Sequence, residues 1–263
     1  MKLLFKTIPQ LAWVLSSKSI PSFFRLSISL WYFSVSRKLG FTKEDFRMAC
    51  LFNRRHITYY LRHVMDIAVL REVYIDKEYQ WYPIIKPQVI LDLGAHYGDT
   101  TLYYNALFPD AKIYAVEPSP ENFERLNTHV KNIHNIIPLQ FAIGSTNDTV
   151  ELSVGNEPFG HSTVNTRYVA SKTIVNQITL NKVFDDYKIE KADLIKFDIE
   201  GAEFSLFESI NPKVFSKAYI GEIHLDLVDY PSLDKFTKLF NGAEVSVEEI
   251  SKDRRYIIKA LYI

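Results

Sequence analysis

From Pro87 onward, short apolar runs alternate with stretches of helical period, and this order constrains the possible folds more than any other feature of the chain. VILDL (89–93), KIYAV (112–116), IIPLQFAI (136–143), DLIKFDI (193–199) and AYIGEIHL (218–225) are near-continuous apolar runs. Such runs belong in a parallel sheet covered on both faces, with helical crossovers between the strands. Helices are predicted near 99–107, 202–210 and 232–240, and another opens at Ser119-Pro120-Glu121. There Ser119 is the N-cap, and Pro120 takes the first helical position, where its missing N–H costs nothing. Pro138 cannot donate to a ladder, so the third run is expected at an edge or beside a bulge. Thr149–Val154 and Asn176–Thr179 read as short strands around the loop PFGHSTVNTR. The last runs, EVSVEEI (244–250) and YIIKALYI (256–263), read as a hairpin, which is not how a six-strand dinucleotide-binding sheet ends.

The first 80 residues do not share this order and are read as a helical extension, leaving 81–263 as the α/β domain. Residues 1–43 carry seven basic side chains (Lys2, Lys6, Lys18, Arg25, Arg37, Lys38, Lys43) and no Asp or Glu. Their two apolar runs fall short of the roughly 18–20 uninterrupted residues of a spanning helix, and no cleavable signal peptide is recognisable. Three readings stand: a helical cap on the main domain, an amphipathic segment lying in a membrane interface, or an organelle transit peptide. Thr42 is predicted to cap a helix that continues to about Val73, with Arg47, Arg54, Arg55, His56, Arg62 and His63 forming a basic face.

The formal net charge is +0, so no global field recruits nucleic acid or acidic lipid. A lone cysteine, Cys50, excludes a disulfide within the chain and a Cys-based zinc cage. It fits a reducing compartment, expected to be the cytoplasm, with membrane association through residues 1–43 as the alternative.

The strongest local motif is Asp92-Leu-Gly94-Ala-His96-Tyr-Gly98-Asp99, directly after the first strand. Gly94 permits a sharp turn, and Gly98 lets a helix start close to a ligand with N–H groups on offer. Asp92, Gly94, His96, Gly98 and Thr100 are therefore candidate cofactor contacts. The spacing G-x-x-x-G departs from the G-x-G-x-x-G of a pyrophosphate site. Glu117 ends the second strand, where a carboxylate accepts both ribose hydroxyls of an adenosine cofactor. Ala142, after the third strand, is either an adenine contact or strand filler.

The fourth strand ends in Lys196-Phe-Asp198-Ile-Glu200-Gly201-Ala-Glu203, and the fifth contains Glu222-Ile-His224. A buried parallel strand has little reason to end in such groups unless they line a site. Glu203 reads as a charge at a helix start, and Lys196 as the partner of a neighbouring acid. DLGAHYGDTT, DIEGAE and EIH together resemble the FkbM family of methyltransferases over residues 88–226. His96 stands where that resemblance leads one to expect Asn. The resemblance implies a class I, Rossmann-like fold with a mostly parallel seven-stranded sheet ending in an antiparallel hairpin. It also implies S-adenosylmethionine as methyl donor and O-methylation of a hydroxyl on a sugar, glycan, lipid or secondary metabolite.

Within that reading Asp198 or His224 is the expected base, Glu200 orients the acceptor, and Asp198 also contacts the cofactor. The same three side chains leave Mg²⁺ open as the alternative to a metal-free base. Phe159, His161, Ser162 and Arg167, in the loop 155–168, are expected to shape the acceptor pocket. An NAD-dependent oxidoreductase and an RNA methyltransferase are the competing functions. Neither an aromatic-basic stripe for single strands nor an Asn/Asp-Pro-Pro-Tyr motif is present, so no nucleic-acid partner is expected.

Overall fold

A computed structural model describes residues 2–41, 44–81, 86–154, 171–225, 227, 232–251 and 254–263. The chain forms two compact units, one of Met1–Gln80 with Leu102–Pro109, the other of Trp81–Thr101 with Asp110–Ile263.

The first unit begins with α1 (Lys2–Leu15) and α2 (Ile20–Lys38), continues through β1 (Phe46–Phe52) and β2 (Arg55–Leu61), and reaches α3 (Asp66–Arg71), which runs into a π-helical turn at Glu72–Asp76. The helix expected from Thr42 to Val73 is therefore corrected to a hairpin followed by a short helix, while Thr42 and Lys43 lie outside the described residues. The cause is local. Asn53 and Arg54 both adopt left-handed backbone, φ 47° and 63°, and Phe52 pairs with Arg55 across this two-residue turn. Positive φ at both central positions matches the right-handed twist of the flanking strands. Burial then follows period two: Met48 and Cys50 point inward on β1, Ile57, Tyr59 and Leu61 on β2. Of the basic residues read as one helix face, Arg47 and His56 are on the outward half of that alternation, Arg54 and Arg55 are in or beside the turn, and Arg62 and His63 follow β2. Burial pushes the Cys50 thiol up to about 12, so it behaves as a small apolar residue.

The second unit holds β3 (Val89–Leu93), the start of α4 (Asp99–Leu107), β4 (Lys112–Val116), α5 (Pro120–Val130) and β5 (Ile136–Leu139). A small sheet follows, from β6 (Ala142–Gly144), β7 (Asp148–Val154) and β8 (Ser171–Thr179). Then come α6 (Leu180–Tyr187), β9 (Ala192–Phe197), α7 (Glu203–Glu208), α8 (Pro212–Phe215), β10 (Ser216–His224), α9 (Leu233–Lys238), β11 (Glu244–Ser251) and β12 (Arg255–Leu261). The main sheet has seven strands in the order β11-β12-β10-β9-β3-β4-β5. Pairings from β10 to β5 are parallel, and those of β12 with β10 and β11 are antiparallel.

The predicted third strand splits after Leu139. Its first half is the edge strand β5, where Pro138 does no harm, and its second half joins the small sheet as β6. α5 is capped as expected, the Ser119 side chain accepting from the Asn122 N–H. α6, not anticipated from the sequence, is capped by Thr179, which accepts from the Lys182 N–H. Phe207 anchors the core beside β9 and β10, its ring 4.8 to 5.7 Å from those of Phe197, Phe240, Tyr219 and Phe236. Truncating such a side chain to Ala costs about 3–5 kcal/mol. β3 and β9 are adjacent although the chain builds outward from them in opposite directions. Their carboxyl ends form the switch point at which open α/β sheets bind ligands.

Candidate active site

Two groups of residues meet at these strand ends. The first surrounds the glycine turn after β3. Asp92 is fully buried, with Oδ1 3.1 Å from Lys196 Nζ. Its Oδ2 accepts from the hydroxyls of Thr100 and Thr101 at 2.8 and 2.6 Å. Lys196 therefore pairs with a neighbouring acid as read, and it also donates to the Gly94 carbonyl at 2.7 Å. Burial alone would lower its pKa, but Asp92, Asp198 and Glu117 outweigh this and keep the ammonium charged.

A Cβ on Gly94 would lie 1.8 Å from the Asp198 carbonyl oxygen, so only glycine lets the end of β3 pass that close to β9. The N–H groups of the turn are spent inside the protein: Gly94 and Ala95 donate to Val116, Gly98 to Ala95, and His96 to Glu117. Of the N–H groups expected to be on offer along this stretch, those of Gly94, Ala95, His96 and Gly98 are thus already used. His96 has φ 52°, a conformation in which Asn, Asp and His are the enriched non-glycine residues. That explains how His fits where Asn was expected. Its Nδ1 lies 3.0 Å from Asp99 Oδ2.

Glu117, buried at the end of β4, accepts from the His96 N–H at 2.9 Å and the Ser119 N–H at 2.9 Å. Burial pushes its carboxyl above the usual range, against the pull of His96, Ser119 and Asn122. Ala142 packs with Leu152 and Val175 in the small sheet.

The second group lies where β9 and β10 end. One donor atom from each of Asp198, Glu200 and His224 falls within a 4.8 Å cluster. His224 Nε2 lies 3.8 Å from Asp198 Oδ1, 3.5 Å from Glu200 Oε2 and 3.5 Å from Glu222 Oε1. Its Nδ1 lies 3.2 Å from Glu203 Oε1. Glu203 is fully buried and also accepts from the N–H groups of Ile199 and Gly201. This is more than a helix-start charge: it fixes both the turn after β9 and the imidazole. Arg255, on β12, donates through Nε to Glu222.

Burial alone would favour neutral His224, yet Glu200, Glu203 and Asp198 raise its pKa well above the usual value. Burial and neighbouring acids also raise Glu200 and Glu222, against the pull of His224. Four carboxyl groups, those of Asp198, Glu200, Glu203 and Glu222, are gathered around His224 and Arg255 here. Arg255 was missed from the sequence because only the β10–β12 register, which sets it opposite His224, brings it in. The loop expected to shape an acceptor pocket, with Phe159, His161, Ser162 and Arg167, lies outside the described residues.

The sheet order and the strand-end site define a class I methyltransferase dependent on S-adenosylmethionine. The chain belongs to the FkbM family: the Methyltransferase FkbM domain matches residues 92–240. Methyltransferase 1 of Beauveria bassiana is 25% identical over 60% of this chain and 69% of its own. Hexuronic acid methyltransferase AglP of Haloferax volcanii is 23% identical over 65% of this chain and 69% of its own. Among solved structures, a fibrillarin/Nop5p complex aligns with TM-score 0.50 and 18% identity over 82% of this chain and 97% of that one. That last likeness is one of fold. The family assignment sets aside the NAD-dependent oxidoreductase.

Proposed function

We propose that the chain methylates a hydroxyl oxygen of a small polar acceptor, a sugar-type hydroxyl first among them, with Asp198 as proton acceptor. The observation carrying this reading is the placement of Asp198 and Glu200 around an imidazole whose other nitrogen is held by Glu203. The name of the Haloferax relative, a hexuronic acid methyltransferase, supports the acceptor class.

The residues around the glycine turn fit S-adenosylmethionine. Glu117 is held at the strand end by N–H donors, and each carboxylate oxygen has lone-pair capacity beyond one such bond. Glu117 is the ribose partner in this reading, and the turn from Gly94 to Gly98 backs the cofactor. Asp92, Lys196 and Thr100 act from behind the turn and set its shape. Bound there, the cofactor supplies an electrophilic methyl group on a sulfonium leaving group.

An alcohol is a weak nucleophile, so the protein must align the oxygen and take its proton. Asp198 would take the proton of the acceptor hydroxyl as its oxygen is methylated, while Glu117 and the glycine turn would hold the cofactor that supplies the methyl group and the sulfur leaving group. The acids around His224 raise its pKa well above the usual value, which favours Asp198 of the two expected bases and gives His224 the role of their counter-ion. Glu200 orients the acceptor.

A second reading rests on the same cluster. Asp198, Glu200 and His224 have the donor set for a divalent cation, with Mg²⁺ suited to the two carboxylates. Such an ion would offset the excess of carboxylates and activate the hydroxyl by charge.

The test is transfer of labelled methyl to a panel of sugars and sugar acids. The Asp198→Asn variant should lose turnover while still binding S-adenosylhomocysteine by calorimetry; unchanged turnover rejects Asp198 as the base. Dialysis against EDTA followed by metal add-back separates the readings, because a metal-free base does not respond to chelation.

A further inference from the structure

α2 is apolar on two opposite faces, and only one of them is used inside the protein. Leu26, Leu30 and Phe33 are buried. On the other side Phe24, Ile28, Tyr32, Val35 and Leu39 follow one another at intervals of four, four, three and four residues. This spacing is a single stripe along a helix. Each of the five keeps 50 to 67% of its surface exposed.

α1 adds two exposed rings, Phe5 and Trp13, 4.6 Å from Trp31 and 5.8 Å from Phe23, and the Phe23 ring lies 5.2 Å from that of Phe24 in the stripe. Singly exposed apolar residues are ordinary, but a contiguous set of this kind marks a surface that something covers.

Charge identifies what covers it. Lys6, Lys18, Arg25 and Lys38 are exposed in this segment, and residues 1–43 contain no acidic side chain. At about 100° per residue, Arg25 and Lys38 fall on opposite flanks of the α2 stripe. An apolar strip with aromatic rings and basic flanks is the arrangement of a helix lying in a lipid headgroup layer. No helix among the described residues is long and apolar enough to cross a membrane.

We infer that α1 and α2 dock the chain on a membrane surface carrying anionic lipid. The stripe enters the acyl boundary, and the flanking Lys and Arg side chains reach the headgroups. This inference goes beyond the methyl-transfer reading and stands apart from it, since none of its residues belongs to the active site.

The test is co-sedimentation of the full chain with vesicles of phosphatidylcholine alone and of phosphatidylcholine mixed with phosphatidylserine. Binding should favour the mixed vesicles and fall at ~1 M salt, where the screening length drops to ~3 Å. Arg25→Glu with Lys38→Glu should weaken it by at least about fivefold per position. Phe24→Ser with Ile28→Ser should abolish it while the circular dichroism spectrum stays unchanged. As a measurement needing no variant, brominated lipid should quench the fluorescence of Trp13 and Trp31 in the mixed vesicles.

Absence of binding to phosphatidylserine vesicles at low salt, or binding by both double variants equal to that of the wild-type chain, overturns the inference. So does a lipid-free dimer that Ile28→Ser converts to monomer, which would assign the patch to a second copy of the chain.

Discussion

Glu203 Oε1 lies 3.2 Å from His224 Nδ1, and the same carboxylate accepts the N–H groups of Ile199 and Gly201. A carboxylate receiving these bonds places the Nδ1 proton on the imidazole. Nε2 is thereby turned toward Asp198, Glu200 and Glu222. One buried acid thus sets the path of the backbone after β9 and the angle of the ring on β10.

Replacing Glu203 with Gln puts an amide donor against N–H donors, so the ring and the turn both shift. Displacement of about 1 Å at such a site costs on the order of 100-fold in rate. The expected outcome is a fall of that size in kcat with KM for the cofactor unchanged, measured in steady-state assays. A proportional rise in cofactor KM would instead show that Glu203 acts on the cofactor turn.

Glu117→Gln should weaken S-adenosylhomocysteine about 10–100-fold in calorimetry, the worth of a hydrogen bond to a charged group. Saturating cofactor should restore most of kcat. Burial raises the Glu117 carboxyl above the ordinary range, so it takes up a proton at a higher pH than a free glutamate, near 4.3. Affinity of the wild-type chain should therefore decline as pH falls toward that raised value. The Gln variant should show a flatter profile.

Asp92 and Lys196 form a buried ion pair between adjacent strands, in register across β3 and β9. Lys196→Met leaves a buried carboxylate uncompensated and should cost about 3–5 kcal/mol in urea unfolding. Adding Asp92→Leu should recover part of that loss, giving a non-additive cycle. Additive losses would show that the two side chains stabilise the fold independently.

Asp193 ties the opposite ends of the same strands together. It accepts from the Gln88 and Val89 N–H groups at 2.8 and 3.2 Å and pairs with Lys217 at 2.6 Å. Burial alone would raise its pKa, but Lys217 and the two N–H groups hold it below the usual value. A depressed acid stabilises the fold above its unfolded pKa, near 3.9, and that contribution is lost as pH falls through the lower folded value. Asp193→Asn should therefore cost about 1–2 kcal/mol at neutral pH. The gap to wild type should close as pH falls through that lowered folded value, as followed by thermal unfolding across pH. A constant gap at every pH would leave packing, not charge, as the cause.

Much of the second unit was legible because its signals are local. Continuous apolar runs gave the parallel strands, Ser119-Pro120 gave the start of α5, and Pro138 placed β5 at the edge. The first unit was less legible. Arg47, Arg54, Arg55, His56 and Arg62 resemble a charged helix face until Asn53 and Arg54 take positive φ and turn the segment into a hairpin. The decisive cue, asparagine at a two-residue turn, is one residue among many polar ones.

By itself the sequence determined which segments become buried strands, where the glycine turn and Glu117 fall, and that Asp198 with Glu200 and His224 lie at the ends of two of those strands. Those properties depend on residues close together along the chain. Tertiary structure alone decided that Lys196 reaches Asp92, that Glu203 holds His224, and that Arg255 answers Glu222. Each of these depends on how separate segments pack, the first and last through the pairing register of strands and the second through the turn after β9 meeting the end of β10. Side-chain period in a strand is two, so a slip of one residue would turn every one of the strand-borne groups to the other face.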